Sequence, residues 1–172
     1  FSDVVADRRI PESLRDDPVL VGECLSGAMY SEDLRRELAR GGCADVRVVD
    51  RRPVELLDPE IVARIGMVEF RSVTFRAFRL ELEDRCEDFG QVATYRGTVE
   101  GHPHRFQLDE GHMFETGRPV RVCGNTACML SATRFREHFH VEGNRSSHFG
   151  LFQDCGAVPG DTGNAGSPAA CC

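Results

Sequence analysis

Eight cysteines, at positions 24, 43, 86, 123, 128, 155, 171 and 172, are the side chains of this sequence best equipped for chemistry. A thiolate is at once a nucleophile, a redox partner and a soft donor for metal-like ions. Eight thiols can close four disulfides, but eight in 172 residues lies below the roughly 8 to 10% that marks a disulfide scaffold. The opening "FSDVVADRR" shows neither a basic n-region nor an apolar h-region and has no initiator methionine. It reads as the inside of a longer chain, and the expected compartment is the reducing cytoplasm. There an excess of thiols points to soft-ion binding or redox work more than to staples.

The segments around each cysteine sort them. Cys24 sits in "VGECLSGAMY", where local sequence alone favours a packed apolar cysteine, since cysteine is among the most buried residue types. Cys86 sits in "EDRCEDFG", a charged, loop-like stretch in which core filling is less expected. Arg85 favours its thiolate and Glu87 opposes it, so local charge gives no clear activation. A pair of such thiols suits trivalent arsenic or antimony, soft ions with a lone pair that prefer two or three sulfur donors in a pyramid. Cys123-x4-Cys128 has nearly the spacing of a zinc site, and His102, His104, His138 and His140 are nitrogen donors for one, though polar surface histidine is the simpler reading. Cys43, just past a glycine helix stop, reads as packing.

The elements that must position these thiols follow from pattern. Ser31 as N-cap, Leu34 and Leu38 at i, i+4, and the Gly41-Gly42 stop predict a helix over 32–40. A short strand is expected over 44–50, and a second helix over "EIVARI" from Asp58-Pro59 to Gly66. The alternation from Val68 to Leu80 slips phase near Ser72 and Ala77, which predicts one long strand with one or two bulges. Beyond Gly90, short alternating pieces between glycine turns predict an antiparallel meander. "NTACMLSATRFREHF" predicts a helix capped by Asn125 or Thr126. Residues 156–172 are too poor in apolar bulk to order and end in Cys171-Cys172, candidate auxiliary thiols on a tether.

Composition excludes several classes. A formal net charge of -7 argues against nucleic acid and anionic membrane as partners. All 21 basic residues are arginine, so neither a Schiff-base lysine nor a P-loop lysine is present. No apolar run approaches the roughly 18 residues of a membrane span. No G-x-G-x-x-G turn follows an expected strand, and no G-x-S-x-G marks an activated serine.

Several separated segments, "FSDVVADRRIPE", "DPVLVGECLSGAMY", "FRSVTFRAFRL", "RCEDFGQVATYRGTV", "GHPHRFQLDEGHMFETGRPVRVCGNT" and "SSHFGLF", occur in the order found in the arsenite methyltransferases. From residue 1 to about 155 the chain resembles the C-terminal part of that family. The resemblance implies an α+β fold: the late edge of a Rossmann-like methyltransferase sheet, as helix plus closing antiparallel strands, then an antiparallel-sheet arsenic-binding domain with short helices. It implies boundaries at 1–80, 81–155 and 156–172. It implies that Cys24 and Cys86 hold trivalent arsenic for methyl transfer from S-adenosylmethionine, and that thioredoxin or glutathione reduces the disulfides left behind. Cys171 and Cys172 echo the family's cysteine-rich tail. The glycine-rich cofactor turn of full-length members is absent from these residues, so an N-terminal methyltransferase domain is the expected partner and the chain alone is expected to be inactive. A stand-alone arsenic- or antimony-binding module without catalysis is the alternative.

Overall fold

The computed structural model describes residues 1–22 and 25–153, so Cys24, Cys155 and the expected disordered tail with Cys171 and Cys172 lie outside the described residues. The chain begins with β1 (Ser2–Ala6), a short helix α1 (Pro18–Gly22), β2 (Met29–Tyr30) and helix α2 (Ser31–Arg40). Then come β3 (Val46–Pro53), α3 (Pro59–Ile65) and β4 (Phe70–Ala77). These strands form one sheet in the order β2-β1-β4-β3, antiparallel except for the brief parallel pairing of Val5 and Ala6 with Met29 and Tyr30. Two cap expectations meet different outcomes. Asp58 accepts the Glu60 N–H at 2.8 Å with Pro59 opening α3, and Gly66 closes it at φ 68°. Ser31, expected as the cap of α2, is instead its first residue; Tyr30 stands at the cap position without a side-chain bond because β2 runs straight into the helix.

The bulges expected near Ser72 and Ala77 are not found. β4 is regular, whereas the register shifts between Val48 and Asp50 of β3, leaving Val49 as the extra residue. Its carbonyl, withdrawn from the ladder, accepts the Gln107 side-chain amide at 2.9 Å.

The second half is no simple meander. β5 (Val92–Tyr95) is the centre of a three-stranded antiparallel sheet, flanked by β8 (Pro119–Arg121) and β9 (Phe139–Glu142). β6 (Arg105–Asp109) and β7 (His112–Glu115) pair as a separate hairpin. Helix α4 (Gly124–Ser131) and a 3-10 turn at Arg134–Glu137 connect β8 to β9. Tyr95, Phe106, Leu108, Phe114, Leu130 and Phe139 interlock as the core here, and a separate core forms around Leu20, Ile61, Ile65 and Phe70. The fold is therefore mixed α+β, with mainly antiparallel sheets and few helices.

Candidate functional site

Cys86 lies in the connection between β4 and β5, and the structure buries it, at 4% exposure, against the expectation from its charged neighbours. The reason is a strap from the far end of the described chain. Phe152 donates its N–H to the Cys86 carbonyl, Asp88 donates to the Gly150 carbonyl and Phe149 to the Asp88 carbonyl, each at 2.8 Å. The ionic neighbours are paired: Glu87 bonds His148 at 2.9 Å, and the buried Asp88 accepts Arg121 at 2.6 Å. Backbone pairing thus carries the sulfur inward, and His148 and Arg121 balance the carboxylates beside it. Cys86 is disulfide-bonded. The reducing-compartment expectation did not anticipate this bond.

The opposite wall comes from the start of α4. Gly124 donates its N–H to the Glu87 carbonyl at 2.9 Å, and Cys86, Cys123 and Phe152 form one small buried cluster. Gly124 is required by this approach, because a Cβ there would stand 2.9 Å from the Phe89 ring and 3.2 Å from the Arg145 guanidinium. The cap of α4 is not Asn125 or Thr126 but Cys123, whose Sγ accepts the Thr126 N–H at 3.5 Å. Asn125 is used differently. Its amide donates to the Glu83 carbonyl at 2.9 Å and its oxygen accepts the Glu83 N–H at 3.0 Å, clamping the Cys86 connection to α4. Asn125→Ala leaves both partly buried Glu83 backbone groups without that partner, and a urea titration is expected to show a loss of about 2 kcal/mol.

Behind α4 lies a buried ion cluster that sequence reading missed. Arg47, on β3, bonds Asp45 at 2.7 and 2.9 Å, Asp109 at 3.0 Å and the Thr126 hydroxyl at 3.3 Å. Burial opposes its charge, yet the Asp45 and Asp109 carboxylates, with the Cys123 sulfur adding to them, raise its pKa above the ordinary arginine value. Burial likewise pushes the Asp109 pKa up, but the bond from His112 at 2.7 Å, the charges of His112 and Arg47 and the Gly111 N–H outweigh it, and the net shift is down. A carboxyl whose folded pKa is depressed stabilises the fold above its unfolded pKa, near 4, and that stability is lost as pH falls through the folded value. Urea midpoints are therefore expected to decline below about pH 4 in the native chain, and less steeply in Asp109→Asn. The visible signal for this cluster was Asp45-x-Arg47 at the start of a β-branched strand, where i and i+2 share a face.

The sequence-expected sites fare as follows. Cys86 is placed and buried; Cys24, Cys171 and Cys172 lie outside the described residues. The zinc reading finds no support, because no group of three His, Cys, Asp or Glu side chains among the described residues is arranged to hold a metal ion. Cys128 and Cys43 are only partly buried thiols. No helix of the described residues is long and apolar enough to cross a membrane.

Comparison with known proteins adds what geometry alone lacks. Residues 89–162 match the family described as Arsenite methyltransferase C-terminal domain. The whole chain is 47% identical to an arsenite methyltransferase of Aquipseudomonas alcaligenes, covering 50% of that protein. It is 34% identical to the mouse arsenite methyltransferase, over 81% of this chain and 36% of the mouse protein. In three dimensions it resembles an arsenic(III) S-adenosylmethionine methyltransferase from Chlamydomonas reinhardtii, with a TM-score of 0.83 and 43% identity, over 88% of this chain and 51% of the other. The chain spans about half the length, or less, of the relatives it matches.

Proposed function

This chain carries the C-terminal domain of the arsenite methyltransferase family, and on that premise we propose that it is the arsenic-binding portion of an enzyme that transfers a methyl group from S-adenosylmethionine to trivalent arsenic held by the thiolates of Cys24 and Cys86. The observation that carries this reading is the state and setting of Cys86: a buried sulfur beneath a strap, in a bond that thiols reverse. As a disulfide it offers arsenic no thiolate. Reduction must come first, which assigns thioredoxin or glutathione the place of reductant. Once reduced, each thiol gives up its proton as it ligates arsenic, so binding strengthens with pH up to the thiol pKa. Cys171 and Cys172 are further thiols within reach of a tether, auxiliary to this pair.

The methyl donor in this reading is S-adenosylmethionine. We assign its site to the part of the family's length that this chain does not span. The sheet supports that assignment: β1 pairs with β4 along its whole length but with β2 only at Val5 and Ala6, leaving Ser2 to Val4 as an edge on that side. Unpaired edge groups are a template for another strand. We read residues 1–80 as the late edge of a Rossmann-like sheet and 81–155 as the arsenic domain. Held in line with a methyl donor, thiolate-bound arsenic would gain up to roughly 7 to 11 kcal/mol from positioning, which the chain alone forgoes.

The test is a titration of the reduced chain with phenylarsine oxide. Native protein is expected to bind one equivalent tightly; if Cys24→Ser and Cys86→Ser both bind as the native chain does, the ligand assignment fails. Incubation of the chain with S-adenosylmethionine, arsenite and a thiol is expected to yield no methylated arsenic, and product would refute isolated inactivity.

A further inference from the structure

A cleft of about 350 Å³ opens between strand β4 of the first sheet, the β5–β6 connection, β6 and the 3-10 turn that follows α4. That volume stands at the low end of small-molecule pockets, which run from roughly 300 to 1,000 Å³. Its charge runs against that of the chain, whose formal net charge is -7. Two arginines line it, Arg76 of β4 and Arg134 of the turn. Most other arginines of the described residues bond a carboxylate, but neither of these does. Arg76 donates one Nη to the Gln107 and Leu108 carbonyls, and its guanidinium lies over the Phe106 and Phe135 rings, 5.3 and 5.4 Å from their centres. Arg134 lies 5.1 Å from the centre of the same Phe135 ring. The aromatic faces and carbonyls hold these cations in place without neutralising them. Burial and the charge of Arg134 lower the Arg76 pKa from the ordinary arginine value, and Asp109 offsets them only in part. His138 also lines the cleft; the Thr98 hydroxyl holds its Nδ1 at 2.8 Å, which leaves Nε2 for a ligand. His102 adds a second imidazole, edge-on to Phe106. Glu100 opposes an anion here, but it is exposed and bonds neither arginine.

We propose that this cleft binds a small phosphate monoester between Arg76 and Arg134. Two cations without a carboxylate partner are best answered by a dianion, and a phosphate monoester carries about -1.5 to -2 charges at pH 7 on three strong acceptor oxygens. A guanidinium presents its N–H groups as a flat fork that matches two such oxygens, and charge-assisted bonds of this kind are about twice as strong as neutral ones. Arg76 keeps Nε and its second Nη for this purpose, and Nε2 of His138 supplies a further donor. A single carboxylate brings one charge and two oxygens, which answer one guanidinium and not both. The ester group has Val99 as its apolar wall. A ligand held this way ties β4 of the first sheet to the 3-10 turn of the second half. The inference rests on this cleft and not on arsenic binding, so the two fail separately.

The experiment uses the full chain without arsenic, at physiological salt so that loose surface attraction is screened. Isothermal calorimetry follows titration with phenyl phosphate, with inorganic phosphate and with succinate. Phenyl phosphate is expected to bind one to one, several-fold tighter than inorganic phosphate or succinate. Arg134→Gln is expected to weaken it by about tenfold, the loss of one charge-assisted bond. That variant keeps the fold, because the exposed Arg134 side chain makes no hydrogen bond among the described residues. Glu100→Gln removes the opposing charge and is expected to strengthen binding. Absence of saturable phenyl phosphate binding overturns the proposal. So does succinate or inorganic phosphate binding as tightly, or an Arg134→Gln chain that binds phenyl phosphate as the native chain does.

Discussion

Arg47→Ala is expected to lower stability by about 3 to 5 kcal/mol, among the largest effects of any single substitution in this chain. Asp45 and Asp109 are 2% and 5% exposed, and each loses its guanidinium partner at once. A buried charge stripped of its partner costs more than the pair ever contributed; Asp109 keeps His112 and the Gly111 N–H, so the larger share of the loss falls on Asp45. The Thr126 hydroxyl and, through it, the start of α4 lose a donor as well. The same reasoning predicts rescue. Arg47→Met combined with Asp45→Asn and Asp109→Asn removes all three charges, and its urea midpoint is expected to lie well above that of Arg47→Ala. A triple variant less stable than Arg47→Ala would show that the cluster contributes net attraction and not a balanced desolvation.

Cys86→Ser is expected to weaken binding of trivalent arsenicals by the reduced chain on the order of 10² to 10⁴-fold, the usual gain when a second donor binds intramolecularly. Serine nearly keeps the volume and keeps the backbone bond from Phe152, as well as the neighbouring Gly124 to Glu87 bond, so the loss reports the sulfur and not the fold. The unreduced native chain is expected to resemble the variant, since its Cys86 sulfur is already bonded. Competition against a dithiol of known arsenic affinity, before and after reduction, measures both.

What the sequence disclosed was local. Asp58-Pro59 and Gly66 mark the ends of α3 because caps depend on a few neighbouring residues. The α+β class came from the family resemblance and not from such local signals. Pairings between distant segments were not legible. Strand β5 takes β8 and β9 as neighbours, and no periodicity within β5 says so. The bulge lies on β3, although the disturbed alternation is on β4, because side-chain pattern records which face is buried and not which strand carries the extra residue. Cys86 looked exposed from Glu87 and Asp88; the strap ending at Phe152 turns those carboxylates to His148 and Arg121 and the sulfur inward. Cys123 looked like half of a zinc pair, and only the approach of α4 to the Cys86 connection gives it a different neighbour. The arsenic reading of Cys24 came from resemblance, and its place lies outside the described residues.

X-ray absorption at the arsenic edge, on the reduced chain loaded with one equivalent of arsenite, tests the central claim most directly. Cys86 as a ligand predicts a first shell of sulfur that loses one sulfur in Cys86→Ser. A shell of oxygen alone, or a sulfur shell unchanged in the variant, would contradict it.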